Sequence, residues 1–318
     1  MAYTDYIDRS KTGNIVPVEY FEEIIKNATE ASAVMGHARR LRDMTRGEMA
    51  LTVTDVLPTA YFTNGDTGAR GVTKAEWAGV KLVAEEVAAL IPVSTNLIDD
   101  ANVPIWNEVM PLLTEAIAAK IDAAIINGTD LPTSWGTSIV AEAETRGHVV
   151  TVPASGADYY NLIMGDDGLL SKVENNGYFV NGHIANIAMR AKLRGIRDNN
   201  GAPIFTASMQ NANQYQLDGA PMTFPRNGCF NDSKILDVAG DWSQLVYSIR
   251  KDATFDVFDQ GVITDPSDGN KVVTNLMQQH MVALMVTMRI GFALPNPVNL
   301  TKTDKTKRYP FAVLKAAS

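Results

Sequence analysis

The feature that most constrains the fold is a long run of alternating residues with a glycine-rich stretch near its middle. Residues 74–83, KAEWAGVKLV, alternate in character with a period of two, which is typical of a β-strand. Asn64-Gly65, within TNGDTGARG (63–71), is a strong signal for a tight hairpin turn because both residues tolerate a positive φ. The β-rich segment 48–94 therefore predicts a two-stranded ribbon.

Such a ribbon cannot be stable by itself. Its flanks are rather polar on both faces, and an isolated two-stranded hairpin buries too little apolar surface to be stable in water. The ribbon must therefore lie on another surface, and nothing in the flanks requires that surface to belong to the same chain.

The glycines at 65, 68 and 71 also suggest a phosphate-binding loop, which the neighbouring residues do not support. A P-loop needs Gly-Lys-Ser/Thr, but Gly68 and Gly71 are followed by AR and VT. A dinucleotide fingerprint lies between a buried strand and a helix, whereas these glycines lie between two polar strands. We expect no bound nucleotide and no other cofactor.

The composition predicts a soluble cytosolic chain with one large domain or two to three smaller ones. Of its 318 residues 46% are hydrophobic and 20% charged, and its net charge of -8 gives no general attraction to nucleic acid. Cys229 is the single cysteine, so no intrachain disulfide forms and we expect a buried structural thiol in a reducing compartment. The N-terminus does not resemble a signal peptide, and no apolar run reaches the roughly 20 residues of a membrane helix.

The residues with chemistry-bearing side chains do not form a recognisable catalytic or metal-binding motif. The histidines, each expected at the surface or partly buried, are scattered at His37, His148, His183 and His280. The adjacent carboxylates Asp99-Asp100 and Asp166-Asp167 point apart and are typical of helix starts. We predict no catalytic, cofactor-binding or metal-binding residue, and an α+β enzyme with an unrecognised site is kept as an alternative.

The remaining segments predict an ordered set of parts. A basic stretch, RRLRDMTR (39–46), is either a solvated, salt-bridged segment or a contact with an acidic surface or nucleic acid backbone. A long helix is expected over 101–127, ending at Gly128. Residues 184–198 indicate a basic amphipathic helix, and 275–298 are apolar on both faces, as in a central strand.

The order of these parts resembles that of tailed-phage major capsid proteins with the Hong Kong 97-type fold. The likeness spans essentially the whole chain and is carried by PTAYFTNGDTG, EEVAALIPVSTNLIDDA, EAIAAKIDAAIINGTD, GYFVNGHIANIAMRAKLRGIRDNNGAPIF and GDWSQLVYSIRKDATFDVF. The resemblance implies an α+β fold with an N-terminal arm (1–46), an extended loop (47–82), a peripheral domain (83–132 and 271–318) and an axial domain (133–270).

The resemblance also implies the partners and the contact residues. It implies a virion protein, assembled in the host cytoplasm as hexamers and pentamers, with a portal protein, separate scaffold and decoration proteins, non-specifically packaged double-stranded DNA and no membrane. The extended-loop residues expected to contact a neighbouring subunit are Thr59, Tyr61, Phe62, Asn64, Gly65, Arg70, Lys74 and Trp77. The basic residues expected on the inner surface are Arg39, Arg40, Arg42 and Arg46.

Two departures from the family pattern lead to further expectations. Many relatives carry a helical scaffold segment before the arm, but this chain starts at the arm with Met1, so we expect a separate scaffold protein or none, and no proteolytic maturation. In some relatives a loop lysine is cross-linked to a neighbour's asparagine with the help of a glutamate. Here the glutamate is missing near the candidate acceptor Asn275, so we expect no cross-links. An encapsulin, a nanocompartment shell of the same fold, is the nearest alternative.

Overall fold

The computed structural model describes residues 32–63, 68, 70–100, 105–197, 215–230, 234–265 and 268–316. The predicted arm up to residue 31 and the predicted turn at Asn64-Gly65 lie outside these residues. No helix in the described segments is long and apolar enough to cross a membrane.

The described chain mixes helices with runs of consecutive strands, as expected for an α+β fold. The helices are α1 (Ala33–His37), α2 (Thr95–Asp100), α3 (Ile105–Asn127), α4 (Ile139–Thr145), α5 (Tyr159–Met164), α6 (Leu169–Glu174), α7 (Met189–Arg194) and α8 (Leu276–Gln279). The strands are β1 (Arg39–Arg40), β2 (Glu48–Val56), β3 (Glu76–Val83), β4 (Glu85–Ser94), β5 (Val149–Thr151), β6 (Gly182–Ala185), β7 (Gln216–Leu217), β8 (Ala220–Thr223), β9 (Ile235–Gly240), β10 (Val246–Phe258), β11 (Val262–Asp265), β12 (Asp268–Asn275), β13 (Met281–Ala293) and β14 (Phe311–Lys315).

A four-stranded sheet in the order β1-β10-β13-β4 is built around the predicted two-faced strand. β13 pairs antiparallel with β10 on one side and β4 on the other. Most of its residues are buried on both faces, because a central strand that is covered on both sides gains from apolar side chains in either direction. The expected central strand within 275–298 is therefore present at Met281–Ala293.

The long helix α3 connects this sheet with the rest of the core. Its apolar stripe includes Val109, Leu113, Ile117 and Ile121, which share one cluster of buried residues with strands of both large sheets. The helix ends as predicted at Gly128, whose φ of +79° is readily adopted only by glycine. Its described N-terminus at Ile105 follows residues 101–104, which lie outside the described chain, and Asp99 lies inside α2 instead of capping α3.

The second large sheet has six strands in the order β5-β14-β9-β6-β8-β7. β9 and β6 are buried at every position, and β14 is buried over Phe311–Leu314. The helices α6 and α7 supply Leu170, Val173 and Leu193 to the apolar cluster on this sheet.

Two strands pair across the boundaries of the predicted domain segments. β10 was expected in the axial segment 133–270, but it pairs with β13 in the four-stranded sheet. β14 was expected in the peripheral segment 271–318, but it pairs with β9 and β5 in the six-stranded sheet. Each of the two strands pairs with a strand that is distant in the sequence. Local periodicity does not show which strands will pair.

Residues 184–198 form a shorter helix than predicted. His183, Ile184 and Ala185 belong to β6, and α7 spans only Met189–Arg194. Because β6 is buried on both faces, its run of apolar residues is like that of a buried helix. Short apolar runs of this kind fit a strand and a helix equally well.

Asp122, a fully buried carboxylate on α3, fixes the first described residues of the arm. It accepts hydrogen bonds from Ser32 Oγ (2.6 Å), Ala33 N (3.0 Å), Val34 N (3.2 Å) and Asn227 Nδ2 (2.6 Å). Burial raises the pKa of Asp122, and these four donors oppose that shift because they favour the charged form. One side chain thus joins the arm, the long helix and the loop at 227.

We predict that Asp122→Ala destabilises the subunit by roughly 2–4 kcal/mol, because it leaves buried donors without an acceptor. Denaturant unfolding followed by circular dichroism measures the change. The matched control is Glu115→Ala, at an exposed position of the same helix, which should change the free energy of unfolding by less than about 0.5 kcal/mol. Equal unfolding midpoints for the two variants would contradict the role of Asp122.

Candidate inter-subunit interface

The ribbon predicted from sequence is formed by β2 and β3. They pair antiparallel with a register that runs from Glu48 opposite Val83 to Val56 opposite Glu76. The strands stop well short of the predicted turn, since residues 57–63 and 70–75 are not part of a strand. The paired ribbon is therefore shorter than the alternating pattern of the sequence.

The inner half of the ribbon packs on its own subunit. Met49, Leu51, Val80 and Leu82 lie on one face and contact a small apolar cluster built by Met44, Val246 and Ala293, among others. Leu82 fits directly over Gly291 of β13, where a Cβ atom would lie 2.6 Å from Leu82 Cδ2. The contact at Gly291 shows that this part of the ribbon packs on a strand of its own chain.

The outer half of the ribbon carries large apolar side chains in solvent. Phe62 is fully exposed, Val72 is 95% exposed and Trp77 is 68% exposed. Tyr61 lies over Gly71, where a Cβ atom would be only 2.6 Å from its ring, and the Thr59 N–H donates to Thr73 Oγ1 at 2.8 Å. The two sides of the outer half are thus held together while their apolar groups point outward.

The structure brings most of the predicted contact residues to one end of the ribbon. The exposed members of the predicted set are Thr59, Tyr61, Phe62, Arg70, Lys74 and Trp77. Asn64 and Gly65 belong to the same set and lie outside the described residues. Exposed apolar groups at this density are typical of protein–protein interaction sites.

The four arginines of the predicted inner surface lie near one edge of the four-stranded sheet. Arg39 and Arg40 form β1, which pairs with β10, and the side chains of Arg39, Arg40, Arg42 and Arg46 are all exposed. Arg40 forms an ion pair with Asp43 at 3.0 Å. Both of the predicted alternatives for this segment, a solvated salt-bridged stretch and an anionic contact, fit the exposure.

A second exposed apolar surface was not predicted from the sequence. It lies on the outer end of β10 and on the β11–β12 hairpin with the adjoining α8, at Val257, Phe258, Val262, Val272 and Met277. A sequence signal for this second surface lies in residues 257–258, where two neighbouring apolar residues occur in an otherwise polar run. Adjacent strand residues point to opposite faces, and these two lie at the outer end of β10, opposite Leu284 and Ala283 of β13, where both remain exposed.

The histidines of the described chain differ in burial and in hydrogen-bond partners. Contrary to the expectation of surface or partly buried side chains, His183 is fully buried and its Nδ1 lies 2.9 Å from the buried Asp237 Oδ2. His37 Nε2 lies 2.7 Å from Thr223 Oγ1. Within the described part of the chain, no group of three or more His, Cys, Asp and Glu residues is placed to hold a metal ion.

The described chain is similar to known proteins over nearly its whole length. A model of the Phage capsid family matches residues 12–304. A protein of Staphylococcus phage 80alpha, named major capsid protein, is 24% identical over 274 residues, which is 86% of this chain and 79% of that protein.

Solved structures are also similar to this chain over nearly its whole length. A chain from Mycobacterium phage Bobi is 27% identical, with a TM-score of 0.75 over 99% of this chain and 100% of that one. A chain from the capsid of an empty GTA particle, computed with C5 symmetry, is 16% identical, with a TM-score of 0.62 over 96% of this chain and 94% of that one. At this lower identity the likeness concerns the fold alone.

The buried thiol of Cys229 leads to a chemical prediction. Burial is the main cause that raises its pKa to about 12, and the charge of Asp122 acts in the same direction. The thiolate, which is the reactive form, is then only about one part in ten thousand at pH 8. We expect iodoacetamide to alkylate the native chain far more slowly than the chain in guanidinium chloride, where the thiol pKa returns to about 8.5.

Because Cys229 is the only cysteine, mass spectrometry of the intact chain measures this reaction directly. Equal alkylation rates in the native and the denatured chain would show that the thiol is accessible and ionised in the folded state.

Proposed function

The chain belongs to the phage capsid family, and we propose that it is a major capsid protein whose copies assemble into the icosahedral head of a tailed phage. The observation that carries the proposal is the family match over residues 12–304, together with solved phage structures of the same fold. The Hong Kong 97-type α+β fold expected from the order of the parts is confirmed.

We further propose how the parts of the chain are used. Residues 1–46 act as the N-terminal arm and 47–82 as the extended loop, while 83–132 with 271–318 form the peripheral domain and 133–270 forms the axial domain. The pairing of β10 with β13 and of β14 with β9 links these two domains. The subunits form hexamers and pentamers in the host cytoplasm. Assembly uses a separate scaffold protein or none, and in the virion the subunits meet a portal protein, decoration proteins and double-stranded DNA.

The division of the ribbon into two halves supports the proposed contact with a neighbour. The inner half is covered by its own subunit, whereas the outer half exposes Phe62, Val72 and Trp77. Burying apolar surface contributes about 25 cal/mol per Å², so a neighbouring subunit that covers these side chains supplies a favourable free energy of assembly.

The exposed arginines are proposed to contact packaged DNA. Arg39, Arg40, Arg42 and Arg46 lie within eight residues and are solvent-exposed, and arginine binds phosphate groups through bidentate hydrogen bonds. In a chain with a net charge of -8, such a local basic segment suits a non-specific contact that does not hold the DNA tightly.

The two alternatives are less well supported. The named relatives are phage capsid proteins, so the encapsulin alternative gains nothing from them. The capsid family is a structural one, which favours a non-enzymatic role over an unrecognised active site.

The test of the proposed function is self-assembly. We expect the expressed chain, with a scaffold protein if one is needed, to yield closed icosahedral shells of pentamers and hexamers in electron micrographs and a fast-sedimenting species in a gradient. If the chain is absent from purified virions, or stays monomeric in extracts of infected cells, the proposal is wrong.

The outer ribbon generates a separate prediction. Replacing Thr59–Lys74 by a short Gly/Ser linker should leave the subunit folded, because the apolar contacts of the ribbon lie in β2 and β3 below this segment. Assembly should fail or stop at isolated capsomers. Circular dichroism measures folding and electron microscopy measures shell formation. Normal shells from this variant would mean that the outer ribbon is dispensable.

A matched pair of point variants separates folding from assembly within β3. Trp77→Ala removes an exposed side chain and should weaken assembly while changing the free energy of unfolding by less than about 0.5 kcal/mol. Leu82→Ala removes a fully buried side chain and should destabilise the subunit by roughly 2–5 kcal/mol.

We also predict that the shell is not covalently cross-linked. Glu76 accepts a hydrogen bond from Lys74 Nζ at 2.8 Å, and this contact raises the pKa of Lys74, which keeps the amine protonated and poorly nucleophilic. Lys81 is ion-paired with Glu48 at 3.1 Å. The side chain of Asn275 accepts from the Gln278 N–H and caps α8.

No Asp or Glu occurs from Asn275 to Leu294 that could take the ammonium proton. Boiled virions should therefore give one band near 34.5 kDa on a denaturing gel. A ladder of covalent multimers would refute the prediction.

A further inference from the structure

A basic cleft lies between two helix ends and the polar segment 302–307. It has a volume of about 460 Å³. Its described lining includes Arg146, Lys172, Lys302 and Lys307, and the carboxylate among those lining residues is Asp167. The cleft and the segment 302–308 behind it thus concentrate positive charge in a chain whose net charge is -8.

The four cations of the cleft differ in how far they are already neutralised. Arg146 is fully engaged, with Glu142 as its ion partner at 2.5 Å and backbone carbonyls of Lys305 and Arg308 as further acceptors. Lys307 lies 3.7 Å from Asp304.

The other two cations are available to a ligand. Within the described chain, the amines of Lys172 and Lys302 have no hydrogen bond or ion pair to another side chain. Both side chains are half-buried, so part of each aliphatic stem is held against the walls of the cleft.

A buried cation behind the cleft adds to its positive potential. Arg308 is only 1% exposed, and its guanidinium donates to Asn296 Oδ1, the Asn296 carbonyl and the Thr303 carbonyl. No described carboxylate forms an ion pair with it. Buried charges are normally paired, and an anion bound next to this segment would supply part of the missing negative charge.

The pKa of His148, in the wall of the cleft, depends on the positive charge around it. Burial is the main cause that lowers its pKa, and the charges of Lys172 and Arg146 lower it further, against opposing backbone groups of Phe311 and Lys307. An anion bound beside Lys172 would favour the imidazolium and reverse part of this shift.

We propose that this cleft binds a phosphate-class oxyanion, held by the amines of Lys172 and Lys302. The ligand is either a free polyphosphate or a backbone phosphate of a nucleic acid, since both present the same oxygen acceptors to lysine. Asn175 and Thr306 also line the cleft and add polar groups at the site. This inference concerns the subunit itself and does not require assembly.

The test uses the full chain and two probes, tripolyphosphate and a short DNA duplex. Each is titrated while the ring signals of His148 are followed by nuclear magnetic resonance. We expect saturable shifts and a rise in the pKa of His148. The double variant Lys172→Ala, Lys302→Ala should weaken binding by about tenfold or more, the loss expected for one charge-assisted hydrogen bond.

Two controls separate the site from general charge effects. Lys172→Arg with Lys302→Arg keeps both charges and should retain binding. Lys234→Ala with Lys251→Ala removes two exposed lysines outside the cleft and should bind like the unmodified chain.

Each outcome bears on the inference. Binding of tripolyphosphate alone identifies a free-anion site, and binding of the duplex, alone or with tripolyphosphate, identifies a site that also accepts backbone phosphates. Absence of a saturable His148 shift with both probes, or equal weakening by the two double-alanine variants, overturns the proposal.

Discussion

Burial of the apolar stripe of α3 is the constraint on which the rest of the structure depends. Its residues, including Ile117 and Ile121, belong to one cluster with Val286 of the four-stranded sheet and with Val238 and Val313 of the six-stranded sheet. Because both sheets contribute to the same buried cluster, neither has a complete core without the helix. The Asp122 contacts then add the first described residues of the arm to this core through a buried carboxylate of the same helix.

Local patterns in the sequence predicted the elements well, and the pairing between them less well. The alternation in 74–83, the end of α3 at Gly128 and the two-faced β13 are local signals, and each is present in the structure. β10 and β14 pair with distant strands that lie outside their own predicted segments. Pairing over such distances is decided by packing in the folded subunit, which a periodicity of two or 3.6 cannot report.

The exposed outer half of the ribbon was predictable for a physical reason that the second surface lacks. The ribbon can be recognised in the sequence as a long two-stranded segment that cannot be stable alone. Exposure of its outer half in the free subunit follows from the same argument. The β11–β12 hairpin is short, and its apolar residues fit a covered strand equally well. Only the pairing of β11 with β12, away from the two large sheets, shows that Val262 and Val272 are left exposed.

Within this chain the contacts that fold the subunit are thus separate from the contacts that we propose for assembly. Along β3, Leu82 is fully buried over Gly291, while Trp77, five positions earlier, is mostly in solvent. A free subunit can therefore reach its folded state before any neighbour is present. Its outer ribbon then has apolar surface still to bury, so association gains free energy without requiring the core to rearrange. This separation suits a shell protein, since each copy must be stable as a free subunit and must still gain free energy when it associates with its neighbours.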